Sequence, residues 1–350
     1  MAGETSNTEK MAKFVSEELF EFFRWKKADL MDENFPCCKP SAHSRKENHT
    51  HPVDVVFSYS DPYLNKIVYL NTDLKSYKKG SIKQSNVRSA LKSLGVTIEC
   101  ARVSSVWKGR YAPSGISSPD VRGVLFVYNH DGEYDNKFYN FITPDEDDKD
   151  SASINTDSLS VKKGQYLHIL DPMAVNYLTT VVNDVSRLHH HKSFPQDNYA
   201  FFYPELTLHK THGEAYGRAA TIELLTAPYL IIKHDEVKKY NEKTASVEEC
   251  YGPGYVIYYN RPGSDHREFM YLFDMISRFQ ILDRGEKIRL RVACSDRDLE
   301  IRSNFEKAKV AYSQAWGFDE YKEKLLNDIE FVLIDTWSKV FNTIDVGWEK

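Results

Sequence analysis

Apolar residues near the start of the chain recur at helical spacing, and the runs that follow alternate like strands. Over residues 11–27 an amphipathic helix is predicted. Its apolar face consists of Phe14, Val15, Leu19, Phe22, Phe23 and Trp25. Glu18 falls inside this face, where a carboxylate requires a metal or a basic partner. Residues 53–59 and 67–74, rich in Val, Ile, Phe and Tyr, predict two strands with a turn at Ser60-Asp61-Pro62 between them.

The next segments complete one predicted domain. Residues 85–106 predict a helix, because Val87, Leu91, Leu94 and Ile98 recur on one side. Residues 121–128 have the continuous apolar character of a buried strand, and 165–170 predict a shorter one. A helix is expected over 172–189 with Asp171 as its cap. Together these elements predict an α/β domain over residues 1–194, with a mixed sheet flanked by helices.

Beyond Pro195 the pattern of elements changes. Strands are predicted at 199–203, 229–233, 255–259 and 287–293, and helices at 219–226 and 266–279. This βαββαβ order resembles a ferredoxin-like split unit and predicts a second, α+β domain over residues 195–350. Two further helices, at 305–316 and 318–341, close it. We expect this domain to serve recognition or assembly, its aromatic strands either stacking on bases or lying buried against the helices.

Composition limits the classes of partner. The formal net charge of −5 argues against a surface that is basic throughout and binds nucleic acid generally, but it is compatible with a local basic groove. No run approaches the 18 apolar residues of a membrane span. Five cysteines, an odd number, and no leader-like apolar start predict a reducing, cytoplasmic environment. The aromatic-rich second half also leads us to expect a homo- or hetero-oligomer.

Two acids and a lysine on the predicted strands carry the candidate chemistry. Asp73 and Lys75 stand two positions apart on one strand and therefore share a face. Asp54, at the start of the neighbouring strand, can bring its carboxylate beside Asp73. Metal-dependent phosphodiester cleavage needs oxygen ligands at one point and a cation facing the phosphate. Two carboxylates would hold Mg²⁺ or Mn²⁺, while the lysine would orient water or stabilise developing charge.

The stretch HPVDVVFSYSDPYLNKIVYLNTDLKSY, followed by a helix opening near Gln84, resembles the PD-(D/E)XK (restriction-endonuclease-like) superfamily. The resemblance covers roughly residues 11–190. It implies a metal-dependent nuclease in which Asp54 is the first acid, Asp73 the second and Lys75 the lysine. An upstream helix often supplies a further glutamate in this superfamily, which assigns Glu18 to the metal site. A nuclease joined to a second module also resembles effectors of bacterial defence against phage or plasmids.

Two alternatives to the catalytic interpretation stay open. Asp73 and Lys75 could form a solvent-facing pair on an edge strand, with Asp54 as a strand-end cap. The domain could also be an inactive relative that keeps the nuclease fold and acts as a scaffold or nucleic-acid-binding subunit in a complex. The apolar surroundings of Asp73 favour a partly covered strand, where isolated charges are costly.

A locally basic region predicts a nucleic-acid partner, either DNA or RNA. From Asp73 to Arg110 there are nine Lys or Arg against two Asp or Glu, an excess of seven positive charges. Near the predicted helix start, Gln84 and Arg88 could touch the metal site or a phosphate. The cations expected to contact phosphates, with Arg88, are Lys78, Lys79, Lys83, Lys92, Lys108 and Arg110.

One polar segment could bind zinc. Cys37, Cys38, His43, His49 and His51 lie close together in the sequence. Their spacing is irregular and lacks a Cys-x2-Cys pair, so a loop with incidental cysteines and histidines is the favoured interpretation. There is no P-loop, no G-x-G-x-x-G after a strand and no G-x-S-x-G, so nucleotide hydrolysis, dinucleotide redox and α/β-hydrolase chemistry have no motif support.

Overall fold

The computed structural model describes residues 16–43, 49–112, 118–135, 138–142, 154–159, 161–203, 216–241 and 246–337. The chain divides into two compact units, with the division between Val175 and Asn176. Each unit contains a five-stranded sheet. Within the described ranges, none of the helices combines the length and the apolar character that a membrane span needs.

The first unit is built on a mixed sheet of order β1-β4-β5-β6-β7. Its strands are β1 (Lys26–Lys27), β4 (Val55–Asp61), β5 (Lys66–Tyr77), β6 (Asp120–Asn129) and β7 (Leu167–Leu170). β1, β4 and β5 pair antiparallel, whereas β6 and β7 continue the sheet in parallel with β5. The predicted mixed sheet with flanking helices is therefore confirmed. A separate two-stranded ribbon joins β2 (Phe35–Pro36) to β3 (Thr50–His51).

Helices cover both faces of this sheet. Helix α1 (Gln84–Ala101) and helix α2 (Ser105–Tyr111) pack on one face, where Leu91 and Leu94 join a buried cluster with residues of β5 and β6. Residues 16–22 are helical and cover the other face, with the ring of Phe20 4.8 Å from that of Phe57 and 6.0 Å from that of Phe126. Residues 11–15 of the helix predicted over 11–27 lie outside the described residues.

The helix predicted over 85–106 is two helices. Ser104 separates them because its hydroxyl accepts a hydrogen bond from the Trp107 N–H at 3.2 Å and caps α2. The break turns α2 so that the indole of Trp107 is buried and donates to Asn71 on β5 at 3.2 Å. The helix that follows, α3 (Pro172–His190), begins as predicted, with the Asp171 carboxylate accepting from the Ala174 N–H at 2.7 Å.

The second unit contains a sheet of order β14-β13-β12-β9-β8. Its strands are β8 (Tyr199–Phe201), β9 (Tyr229–His234), β12 (Gly254–Tyr259), β13 (Lys287–Val292) and β14 (Glu330–Leu333). β8, β9 and β12 pair antiparallel, and β12, β13 and β14 pair in parallel. A separate antiparallel pair, β10 (Val237–Asn241) with β11 (Ser246–Tyr251), lies between β9 and β12 along the chain, where no strand is predicted.

The ferredoxin-like prediction is wrong in its strand order. The four predicted strands form, but they pair one after another along the chain, whereas a split unit inserts a strand between the two that a helix connects. Helix α5 (His266–Arg278) connects the adjacent parallel strands β12 and β13. Helices α6 (Ile301–Trp316) and α7 (Glu320–Asn327) connect β13 to β14. The helix predicted over 318–341 is therefore shorter than expected, because it ends at Asn327 and strand β14 follows. A short helix, α4 (Ile222–Thr226), lies between β8 and β9.

A buried polar network explains why the division falls about twenty residues before the predicted boundary of 194/195. Most of α3 belongs to the second unit, because its Asp184 carboxylate binds Arg291 of β13 and accepts from the Tyr258 hydroxyl of β12 at 2.9 Å. All three side chains are buried. The aromatic residues of β12 are buried as well, which excludes base stacking on them.

Candidate active site

The strand register brings Asp54, Asp73 and Lys75 to one edge of the first sheet. The antiparallel pairing of β4 with β5 ends at Val55 opposite Thr72, so the next residue, Asp54, comes level with Asp73. Asp73 and Lys75 point to the same face of β5, which is the face covered by α1. The structure therefore brings together the three residues that the sequence analysis singled out.

Two hydrogen bonds fix these side chains. The Leu74 N–H donates to Asp54 Oδ2 at 2.7 Å, which holds the Asp54 carboxylate against β5. Lys75 Nζ donates to Asp73 Oδ1 in a close ion pair. The Asp73 side chain is 18% exposed and that of Lys75 is 33% exposed, so this is not a solvated surface pair. The edge-strand alternative is thus disfavoured.

The electrostatics of the site are those of two crowded carboxylates beside one ammonium. Burial, and after it the charge of Asp73, raise the pKa of Asp54 to about 6, against the opposing effects of the Leu74 N–H and Lys75. Burial alone would lower the pKa of Lys75, but the charge of Asp73 and the hydrogen bond to it outweigh burial and raise it. Lys75 is therefore a charged ammonium at neutral pH, next to acids that repel each other.

A small cleft opens beside the two acids. Its floor is formed by β5 and its wall by one turn of α1, which contributes polar and apolar side chains. The lining residues are Pro52, Asp54, Asn71, Thr72, Asp73, Ser93, Leu94 and Thr97. Sequence analysis missed Ser93 and Thr97, which are four positions apart and so share one side of α1. Their spacing was visible in the sequence, but nothing there indicated that this side of the helix faces Asp73.

Glu18 does not join the site, and its assignment as a metal ligand is corrected. Glu18 is exposed, and its helix packs through Phe20 on Phe57 and Phe126. Phe126 is level with Leu74, and the side chain of Leu74 points away from the face that carries Asp73. Glu18 therefore lies on the opposite side of the sheet from the acids.

The predicted phosphate contacts have different surroundings. Lys79 pairs with Asp135 at 2.7 Å, and Arg88 donates to the Ser158 hydroxyl at 3.1 Å. Arg110 is held by Glu33 and by the Asn34 carbonyl. The first residue of α1, Gln84, is partly exposed. The exposed cations of this region are Lys78, Lys83, Arg88 and Lys92.

The fold and the site together have the pattern of a nuclease-like domain of the PD-(D/E)XK type. An acid stands at the entrance of one strand, an acid-X-lysine lies on its hairpin partner, and a helix packs over both. Residues 1–174 match the family model described as the GAPS4 protein PD-(D/E)XK nuclease domain. This part of the chain therefore belongs to the PD-(D/E)XK nuclease superfamily, as the sequence motif predicted. Comparisons with curated proteins and with solved structures give no match.

Proposed function

We propose that the chain is a metal-dependent nuclease that cleaves phosphodiester bonds, with Asp54, Asp73 and Lys75 as its catalytic residues. The observation that carries the proposal is the convergence of the three side chains at the edge of the cleft, with Lys75 bonded to Asp73. Membership of the first unit in a nuclease superfamily supports the same chemistry.

The donor set fits a hard divalent cation. Asp54 and Asp73 offer carboxylate oxygens, the ligands that Mg²⁺ and Mn²⁺ prefer. Burial, and after it the charge of Asp73, raise the pKa of Asp54, and a cation bound to the two carboxylates would offset both effects. When bound, such a cation polarises the phosphate and lowers the pKa of water. Asp54 and Asp73 are thus the residues that would hold it.

Lys75 supplies positive charge that is already in place. Its ammonium is charged, partly shielded from solvent and anchored by Asp73, so little reorganisation is needed when negative charge builds up on a phosphate. Exposed lysines at positions 78, 83 and 92 add sequence-independent attraction for a polyanion. This combination favours a nucleic acid as substrate, without distinguishing DNA from RNA.

One assay tests the proposal. Purified full-length protein is incubated with plasmid DNA, linear double-stranded DNA, single-stranded DNA and RNA, in Mg²⁺, in Mn²⁺ or in EDTA. We expect cleavage of at least one substrate with a divalent cation, and none with EDTA. Asp73→Asn should abolish cleavage, whereas Asp120→Asn, a carboxylate at the far end of β6 paired with Lys66, should keep it.

Two results would overturn the proposal. Cleavage by Asp73→Asn at the wild-type rate would exclude this site. Failure of the folded wild-type protein to cleave any substrate with any cation would favour the alternative, an inactive nuclease-fold subunit that serves as a scaffold.

We further propose, from the two-unit architecture, a role in bacterial defence against phage or plasmids, with the second unit serving recognition or assembly. Expression of the chain in a host challenged with phage should reduce plaque formation, and Asp73→Asn should not. Equal plaque numbers with both proteins would exclude a defence role that depends on the nuclease site.

A further inference from the structure

A second cluster of metal-binding side chains lies in the first unit, outside the candidate active site. It consists of Cys37, His43, His51 and Cys100, whose donor atoms all lie within 4.8 Å of one another. His51 and Cys100 are buried, at 2% and 0% exposure. We propose that these four residues form a structural zinc site.

The separations between donor atoms match a tetrahedral zinc ion. Zinc bonds of about 2.3 Å to sulfur and about 2.0–2.1 Å to nitrogen place two sulfurs about 3.8 Å apart, and a sulfur and a nitrogen about 3.6 Å apart. Cys37 Sγ and Cys100 Sγ are 3.8 Å apart. His43 Nδ1 lies 3.3 Å from the Cys37 sulfur and 3.8 Å from the Cys100 sulfur. Three of the four donors thus already have the required spacing.

The orientation of both imidazoles supports metal binding. His43 Nε2 lies 3.2 Å from Glu99 Oε2, which leaves Nδ1 facing the two sulfurs. A carboxylate on the outer nitrogen is the usual partner of a metal-bound histidine. His51 Nδ1 lies 3.4 Å from the Thr97 hydroxyl, a contact that would hold the ring while Nε2 binds the ion.

The donor set selects both the metal and its role. Two thiolates and two imidazoles suit zinc far better than Mg²⁺, which prefers oxygen. Four protein ligands close the coordination sphere, which is the pattern of a structural rather than a catalytic site. Each cysteine loses its proton on binding, so two protons are released per ion. Cys38 is excluded as a ligand, because its thiol is exposed and directed to the Pro36 carbonyl at 3.8 Å.

The site would tie two separate segments together. Cys37, His43 and His51 belong to the segment of the β2–β3 ribbon, whereas Cys100 is near the end of α1. His51 precedes Asp54 by three residues, and Thr97 contacts His51 and also lines the cleft. Zinc would therefore anchor the residues leading into Asp54 to the helix that forms the wall of the cleft.

The sequence could not reveal this set. Cys100 is nearly fifty residues from His51, so no local spacing connects it to the other three. The favoured sequence interpretation, a loop with incidental cysteines and histidines, took account only of the near group. The fold supplies the fourth ligand by bringing the end of α1 against the ribbon.

Metal analysis of the full-length protein tests the proposal. Protein purified under reducing conditions should contain about one zinc per chain by mass spectrometry. Cys37→Ser and Cys100→Ser should lose most of it, whereas Cys38→Ser and Cys250→Ser, which replace exposed cysteines, should keep it. Wild-type protein without zinc that also takes up none on addition would overturn the site, as would full zinc content in Cys100→Ser.

A second measurement covers the case in which ligand variants fail to fold. Wild-type protein stripped of zinc and titrated with Co²⁺ should show the visible absorption of tetrahedral cobalt with thiolate charge-transfer bands. A spectrum of octahedral cobalt without those bands would overturn the proposal. Zinc removal should also accelerate amide hydrogen exchange in residues 49–54 and leave the second unit unchanged, and equal exchange at 49–54 would contradict the anchoring role.

These readouts are independent of the nuclease proposal. Asp73→Asn should retain its zinc, because Asp73 contributes no donor to the cluster. A protein that binds zinc but cleaves nothing would contradict only the proposed nuclease activity. A protein that cleaves with Mg²⁺ but holds no zinc would contradict only the proposed zinc site.

Discussion

The Leu74 N–H donates to Asp54 Oδ2 at 2.7 Å, at the point where β4 stops pairing with β5. The carboxylate thereby takes the place that a backbone carbonyl of β4 would occupy if the pairing continued. A side chain held in the hydrogen-bond ladder of a sheet has little freedom to reorient. Asp54 is therefore positioned by the same backbone that carries Asp73 and Lys75.

Replacing Lys75 by methionine should remove activity without unfolding the protein. Methionine keeps the length and apolar stem of lysine but leaves no charge near the phosphate. We expect the cleavage rate to fall by about 10²-fold or more, while the affinity for nucleic acid changes little. Rates under saturating substrate and binding by fluorescence anisotropy separate the two effects.

Lys66 on the same strand provides the control. It pairs with Asp120 at 2.9 Å and is half exposed, at the end of β5 far from Asp54. Lys66→Met should cleave at close to the wild-type rate. Equal losses in the two variants would mean that general charge, and not the position of Lys75, matters.

Replacing Asp54 by asparagine should stabilise the protein when Mg²⁺ is omitted. The pKa of Asp54 is about 6 in the folded state against an ordinary value of 3.8, so the folded state binds this proton more tightly than the unfolded state. The stability that this bound proton gives the folded state is complete below about pH 4 and is lost as the pH rises through 6. At pH 8 the ionised Asp54 costs up to about 3 kcal/mol, which asparagine avoids.

Urea unfolding at several pH values measures this difference. The amide oxygen of asparagine can still accept from the Leu74 N–H, so the cleft should survive. Asp54→Asn should be the more stable protein at pH 8 and close to wild type at pH 4. A variant less stable than wild type at pH 8 would contradict the cost of keeping Asp54 ionised in its buried position beside Asp73.

Asp184→Ala should destabilise the second unit strongly. Asp184 binds Arg291, with Oδ1 2.7 Å from Nη2, and both side chains are buried. Removing the carboxylate leaves the guanidinium buried and unpaired, which costs about 3–5 kcal/mol. Arg267→Ala, which breaks an exposed pair with Asp265, should change the free energy of unfolding little. Comparable losses in the two variants, measured by chemical unfolding, would contradict the difference in burial.

The same network predicts where the second unit can be separated. A fragment beginning at Asp171 retains the cap of α3 and Asp184, and it should unfold cooperatively. A fragment beginning at residue 195 lacks Asp184 and leaves Arg291 unpaired, so it should be less stable or unfolded. Thermal unfolding followed by circular dichroism compares them. Equal stability would favour a boundary at 194/195 instead.

The strands of the candidate active site could be predicted because alternating and apolar runs determine which residues share a face. Asp73 and Lys75 were placed correctly by their spacing of two, and Asp54 by its position before an apolar run. Glu18 was misplaced because it lies on the exposed side of its helix, although the helical pattern put it among the apolar residues. The pattern also does not indicate which face of the sheet a helix covers. The ferredoxin-like topology failed for a related reason, since pairing between strands depends on contacts distant in sequence. Strand β14 was missed because a helical pattern was extended past Asn327.

Gly123 of β6 lies beneath α1, and a Cβ there would come within 2.9 Å of Leu94 Cγ and 2.5 Å of Leu167 Cδ2. Leu94, which lines the cleft, therefore rests almost directly on the main chain of the sheet. A side chain at position 123 would therefore have to displace Leu94, and with it one of the residues that shape the cleft beside Asp73.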